Sequence, residues 1–277
     1  MQSAKRKVTG AAQALARVIL GVQALHLGLC TLLFGQGAPR YTAELLKCSA
    51  YIEEVRTLVD ARRGMQSWQE KGFRRGLLQL RATPGETGLA FESWYDSLSV
   101  EYTNPQGKVT PDTDGLIGGR WTGTMLPQGQ ASLTDRPFMP PELAQVSDLS
   151  DEMVDFFPPL ATAGLAIGAA WSDSLGLEVE RLRDSTGGGE RLLRFRWRIT
   201  SHGAETPAVI DTTVRLRQEI EDEGVMAWSP TRGPLGWRRE IEVNTRVGAS
   251  RRGGTPTEGR VTQLVTVRRI TRPGACE

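Results

Sequence analysis

The chain has 277 residues, 39% of them hydrophobic and 24% charged, enough apolar surface for one large domain or two small ones and too much for disorder over its bulk. The formal charge is +2, and loss of the leading basic residues Lys5, Arg6, Lys7 and Arg17 would take it to −2. A chain so close to neutral lacks the clustered positive surface that phosphate neutralisation needs, which excludes nucleic acid as a partner.

Those four basic residues precede an apolar run from Val18 to Gly35, broken only by Gln23 and His26. This is the pattern of an export signal, and the small residues Gly35 and Gly37 place cleavage near Gly37/Ala38, so residues 1–37 are read as a signal peptide. The alternative is an uncleaved anchor, because the run is close to the minimum length for crossing a bilayer; membrane contact is expected only through this segment. Leu29 before Cys30 is too bulky for lipid-attachment processing. Cleavage leaves Cys48 and Cys276, one near each mature end. In an oxidising compartment they are expected to form a disulfide, which on a chain-entropy estimate contributes roughly 5 kcal/mol; two unpaired thiols are the alternative.

Residues 38–139 form an N-terminal β half. Leu45, Cys48, Ile52, Val55 and Val59 have helical spacing, yet Tyr51, Glu53, Val55, Thr57 and Val59 also form one face of a strand, and context favours a strand over Ala50–Arg62. Gly72–Thr83 and Gly88–Thr103 alternate as paired strands around the turn Thr83-Pro84-Gly85-Glu86. A second turn is Asn104-Pro105-Gln106-Gly107. The glycine-rich stretch Pro111–Trp121 then leads into a short strand over Thr122–Leu126.

Residues 140–174 are the expected organising segment. Pro140 and Pro141 suit a helix start, and Leu143, Val146, Leu149, Met153 and Phe156 follow at steps of three or four, an apolar stripe that predicts one central α-helix lying across the sheet. Asp148, Asp151, Glu152 and Asp155 fall on the other side and read as a solvated face. Pro158 and Pro159 end the helix, and a small-residue linker runs from Leu160 to Trp171.

Residues 175–277 form a C-terminal antiparallel β half. Gly187-Gly188-Gly189 turns the chain into a strand where Leu193, Phe195, Trp197 and Ile199 alternate with Arg194, Arg196 and Arg198, as a half-buried strand requires. Ile210, Thr212, Val214, Leu216 and Ile220 share a face of the next strand. Trp237, Ile241, Val243 and Val247 share a face of another, and the last runs from Arg260 to Thr271. Turn clusters at 201–207, 229–234 and 251–256 let consecutive strands pair as a meander.

The signal, the β half, PDTDGLIGGRW (111–121), the PPE-started helix, FFPPL (156–160) and IGAAW (167–171) together resemble an uncharacterised family of exported bacterial β-rich proteins with an FFPPL…G-x-x-W linker motif. Members often carry a further proline where Ala161 stands here, and the resemblance implies no activity. A looser similarity of layout is to the half-barrel lipid and lipoprotein carriers of bacterial envelopes.

Chemistry-bearing patterns are sparse. His202 is the one histidine left after cleavage and sits in a turn-like Ser201-His202-Gly203; no zinc spacing, nucleophile elbow or Walker sequence occurs. Asp112 and Asp114 begin a calcium-like loop, but Leu116 occupies a ligand position, so the stretch reads as a turn. Gly115, Gly118 and Gly119 read as backbone freedom beside Trp121. Cross-strand glutamates Glu178, Glu180 and Glu219 are expected to neutralise the arginine face. The tryptophans read as core.

The fold expected is mainly β: two antiparallel sheet halves forming a curved sheet or open barrel, joined by the central helix. The function expected is that of a non-catalytic exported cell-envelope protein, periplasmic or extracellular. It needs no cofactor and binds a lipid or hydrophobic small molecule, or an envelope protein. A purely structural module with a packed core is one alternative and a carboxylate-dependent hydrolase another. A groove of roughly 300 Å³ separates the first two.

Overall fold

Strict apolar alternation over many residues commits a chain to extended backbone, and most of this one is strand. The computed structural model describes residues 38–203, 206–207, 215–248 and 257–271. The signal segment 1–37, Cys276, the side chain of His202, the strand residues Ile210, Thr212 and Val214 and the turn expected at 251–256 lie outside them.

The strands are β1 (Ser49–Arg63), β2 (Gln66–Pro84), β3 (Leu89–Asn104), β4 (Gly107–Val109), β5 (Trp121–Met125), β6 (Ala131–Asp135) and β7 (Ala170–Ser172), followed by β8 (Leu177–Gly187), β9 (Glu190–His202), β10 (Thr206–Pro207), β11 (Arg215–Ser229), β12 (Gly233–Val247) and β13 (Thr257–Ile270). Among the described residues two four-residue helices accompany them, α1 (Ala43–Leu46) and α2 (Pro141–Ala144). The ambiguous stretch before Arg63 is a strand, β1. The turns at Gly85 and Asn104 form as expected: Gly85 N–H donates to Gly88 O, and Asn104 Oδ1 accepts from the amides of Gln106 and Gly107.

All thirteen strands belong to one sheet, in the order β6-β5-β3-β2-β1-β13-β12-β11-β9-β8-β7, with β4 on β3 and β10 on β11. This corrects the expectation of two sheet halves joined by a helix. The joint is a backbone ladder: β13 returns to pair with β1, from Ala50 opposite Ile270 to Arg63 opposite Thr257. Every pairing is antiparallel, and the path ends at β6 on one side and β7 on the other, so the sheet is open.

One face carries the core. Tyr51 and Val55 of β1, Leu78 and Leu80 of β2, Tyr95 of β3 and Trp121 of β5 lie on it, with Phe195 and Trp197 of β9, Met226 of β11, Trp237 of β12 and Val267 of β13. The glycines Gly76 and Gly224 make room for two of the inward rings. A Cβ on Gly76 would meet the Tyr95 ring at 2.4 Å, and one on Gly224 the Trp197 ring at 2.2 Å.

The central helix is also corrected. Only Pro141–Ala144 is α-helical, and Ser147–Phe157 runs as successive turns that cross the sheet face. The cause is competition for the backbone. Asp148 Oδ1 accepts from Ser150 N–H at 2.9 Å, and Glu152 and Val154 donate to carbonyls three residues back rather than four, the local side-chain and turn bonding that Asp and Ser favour over helix. Trp121 Nε1 donates to the carbonyls of Leu149 and Ser150, and Arg239 Nη1 to that of Asp155, so sheet donors take acceptors that a helix needs for itself. Among the stripe residues, Leu143, Leu149, Met153 and Phe156 are buried and Val146 is half-buried.

The crossing segment, residues 147–157, is called the strap below. Its aromatic end is packed ring against ring: Phe156 lies edge to face 5.7 Å from Tyr51 and 5.1 Å from Trp237, and Phe157 lies tilted 5.2 Å from Tyr41, between ring centroids. Tyr41 Oη donates to Pro158 O at 2.8 Å. Asp151, by contrast, makes an exposed pair with Arg136. The expected outcome is that Phe156→Asp lowers stability by at least about 3 kcal/mol, through lost burial plus a desolvated carboxylate, whereas Asp151→Ala costs under about 1 kcal/mol. Thermal or urea unfolding of the two variants checks this.

Candidate ligand groove and its buried charges

Hollows flank the strap. The first, about 390 Å³, is lined by Phe156 and Phe157 of the strap and by Leu177, Trp197, Ile199 and Trp237 of the sheet. These side chains are present because Leu177, Trp197, Ile199 and Trp237 occupy inward positions of β8, β9 and β12, and Gly224 makes room for the Trp197 ring. The second, about 450 Å³, is polar: Glu53, Arg74, Glu152, Asp155 and Gln263 line it, with Val265. Both share Asp155, Phe156, Trp237 and Arg239, so the strap is the divider between them.

Under the strap lies a charge cluster built from inward positions of three neighbouring strands. Arg74 Nη2 donates to Glu53 Oε1 at 2.9 Å and to Glu152 Oε1 at 2.7 Å, and Tyr95 Oη donates to Glu53 Oε2 at 2.7 Å. The Glu53 side chain is 1% exposed and that of Glu152 16%. Glu152 therefore does not stand on a solvated face, because the strap turns it inward. Burial lowers the Arg74 pKa, but Glu152 and Glu53 more than offset that and hold it above the ordinary value. Burial, then Glu53, keep the Tyr95 hydroxyl protonated well above its usual range. Burial drives the Glu152 carboxyl up to about 8; Arg74 opposes this and Glu53 reinforces it. One guanidinium serves two carboxylates in a desolvated site, so a proton retained on the pair is the cheaper state.

A second buried pair stands nearby. Arg239 holds Asp222 through Nε at 2.9 Å and Nη2 at 2.7 Å, and burial there is outweighed by Asp222, Asp155 and Glu152, which raise the Arg239 pKa. Glu53, Arg74, Asp222 and Arg239 were not singled out from the sequence. The available signal was parity: Glu53 lies between Tyr51 and Val55, and Arg239 between Trp237 and Ile241, at positions where an alternating strand points inward.

The other sequence candidates fall elsewhere. Arg196 pairs with Glu180 at 3.1 Å and Arg198 with Glu223 at 3.3 Å on the opposite face, while Glu219 turns to Arg217. Asp112 Oδ1 accepts from Asp114 N–H and closes a turn. No group of three or more His, Cys, Asp or Glu among the described residues could hold a metal ion, and no helix among them is long and apolar enough to cross a membrane. A hollow of about 980 Å³ lies toward the far strand ends, where Arg62 and Arg246 share Glu258 and Arg260 pairs with Glu242; its charges are largely spent on one another.

The fold and site together define a mainly β protein with one open antiparallel sheet and a strapped groove on its core face. No family model matches the chain, and no curated protein does. Among solved structures it is similar to lipovitellin (title: lipid-protein interactions in lipovitellin), at 9% identity and a TM-score of 0.45, over 83% of this chain and 26% of that one. It thus spans about a quarter of that protein's length. An outer membrane channel from Pseudomonas putida F1 gives 7% identity and a TM-score of 0.27, over 85% of this chain and 98% of the other. A DUF1329 family protein from Desulfovibrio piger gives 10% identity and a TM-score of 0.18, over 83% and 87%. Likenesses this distant carry no functional argument.

The sign of the Glu152 shift sets a pH dependence. An acid whose folded pKa lies above its unfolded value of 4.5 binds more protons in the folded state, so stability is greatest below about 4.5, falls as pH rises and levels off above about 8. Melting temperature is expected to decline from about pH 5 to about pH 8, and Glu152→Gln, which cannot ionise, to flatten that decline. Equal slopes in the two proteins would contradict the buried-proton reading.

Proposed function

We propose that this is a non-catalytic, exported cell-envelope protein that holds the apolar part of an amphipathic molecule in the groove between the strap and β8, β9 and β12. The observation that carries the reading is the groove itself. It holds about 390 Å³ lined by Phe156, Trp197, Ile199 and Trp237, within the range of small-molecule sites, and adjoins a polar hollow of about 450 Å³. An apolar tail and a polar head thus have separate places on one face. Leu175, 83% exposed on the groove's rim, adds apolar surface at its mouth.

The test uses phenylnaphthylamine, an uncharged apolar fluorophore, together with mass spectrometry of solvent extracts from the purified mature protein. Fluorescence enhancement is expected, and Ile199→Glu, which puts a charge on the groove wall, is expected to weaken it by about tenfold or more while the far-ultraviolet dichroism is unchanged. No enhancement in the wild type, with no amphiphile in the extract, would sink the reading.

Export belongs to the same proposal, with the mature chain starting near Ala38 and a bond between Cys48 and Cys276. The β1–β13 register supports the bond, since Ala50 lies opposite Ile270 and, in sequence, Cys48 is two residues before Ala50 and Cys276 six residues after Ile270. Intact mass of the exported protein, before and after reduction and alkylation, is expected to show loss of residues 1–37 and two thiols that react only after reduction.

A further inference from the structure

The strap is held to the sheet by unlike contacts at its two ends. Phe156 and Phe157 are locked among Tyr41, Tyr51 and Trp237. From Ser147 to Asp155, however, no strand ladder secures the backbone; Leu149 and Met153 anchor the segment in the core, and the rest of it is held by short turns, by Trp121 and Arg239, by the exposed Arg136–Asp151 pair and by Glu152 meeting Arg74. Glu53, the other carboxylate on Arg74, belongs to β1, which is hydrogen-bonded along both edges to β2 and β13.

We propose that residues 147–155 are a proton-controlled latch: a proton on Glu152 keeps the strap closed on Arg74 and Glu53, and its loss loosens the strap and lets the two flanking hollows merge into one trough. Arg74 carries a single positive charge, and both carboxylate oxygens bind the same nitrogen, at 2.9 and 2.7 Å. With one proton present, the pair and Arg74 are balanced. Without it, two like charges face each other across one cation in a largely buried site, and the cost falls on whichever partner can move. Glu53 is fixed in the ladder, so Glu152 yields and its turn-bonded segment goes with it.

The groups around Glu152 agree with this assignment. Glu53 faces it from β1, Arg74 from β2 and Tyr95 from β3; Arg239 acts from β12 but is already engaged by Asp222 of β11. On the strap, Asp148, Asp151 and Asp155 are exposed and add only negative charge. No cation other than Arg74 contacts Glu152 among the described residues, so nothing else compensates when the proton leaves. The direction of the Glu152 shift, caused by burial and Glu53, is the one this arrangement requires. The consequence for ligand entry rests on the groove proposed above, whereas the latch itself does not.

Amide hydrogen exchange of the full mature chain tests it, corrected for the intrinsic pH dependence of exchange. The reporters are the amides of Glu152 and Val154, bonded to Leu149 O and Asp151 O. Their protection is expected to fall by up to about tenfold per pH unit between about pH 5 and about pH 8 and to level off above that. Glu152→Gln is expected to abolish the slope and Glu53→Gln to shorten it. Asp155→Asn, an exposed acid on the same strap, is expected to leave it intact. A slope that survives in Glu152→Gln would overturn the latch. So would a wild type with no slope, or an equal slope for Val55 and Val265 in the β1–β13 ladder, which would be global unfolding. Phenylnaphthylamine binding measured over the same pH range separates the two ideas: absent binding with the exchange slope intact sinks the groove reading alone.

Discussion

Pairing of β13 with β1 constrains everything else in this molecule. Because the last strand returns to the first, the sheet grows outward in both directions from that joint, and the strands nearest each other across the middle of the sequence, β6 and β7, end at opposite edges. The chain between them has to traverse the whole width of the sheet. It does so over the core face, where the inward rings of β1, β9 and β12 would otherwise be wet. The same pairing stacks the N-terminal and C-terminal meanders edge to edge, so that aromatic residues from both, Tyr41 and Tyr51 with Trp228 and Trp237, meet in one cluster closed by Phe156 and Phe157. Long-range pairing of this kind carries a loop-closure cost that only the completed core offsets.

Covering a sheet with a strap rather than with a second sheet leaves gaps, and their chemistry is set by what the strap presents on each side. Toward β8 and β9 it offers Phe156 and Phe157, followed by Pro158 and Pro159, and the gap is apolar. Toward β1 and β2 it offers Ser147, Asp148, Asp151 and Glu152, and the gap is polar. The buried charges Glu53–Arg74–Glu152 and Asp222–Arg239 lie beneath this boundary. Such pairs gain little net stability, since desolvation consumes much of the attraction, but an unpaired member is costly. They favour the one strap position in which every charge finds a partner, and hydrophobic packing alone would tolerate several.

Much of the fold was legible because strands advertise themselves. The alternation Leu193, Phe195, Trp197, Ile199 against Arg194, Arg196, Arg198, the Gly188-Gly189 turn with both residues at positive φ, and the Pro-Gly and Asn-Pro turns each identify extended backbone locally. The apolar stripe from Leu143 to Phe156 marked the right segment and the wrong conformation. Spacing of three and four is shared by a helix and by a chain of tight turns that dips into a core, and only the surrounding donors distinguish them. Trp121 and Arg239, distant in sequence, take the carbonyls of Leu149, Ser150 and Asp155 and so decide against the helix. The groove was less visible still, because its walls come from the strap and from strands on which Trp197 and Trp237 look like ordinary core.

By itself, then, the sequence determined the extended backbone of the longer alternating strands, β2, β3, β9, β12 and β13, and the inward or outward sense of their side chains, since these depend on period-two patterning and on turn residues that act within a few positions; β4, β6, β8 and β10 carried no such pattern. Tertiary structure decided the order of the strands, the union of two meanders in one sheet, the path of the strap and the burial of Glu152 against Glu53. Those depend on which distant groups come to share a donor, a ring face or a charge, and Arg74 selects both of its carboxylate partners only once β1, β2 and the strap are assembled around it.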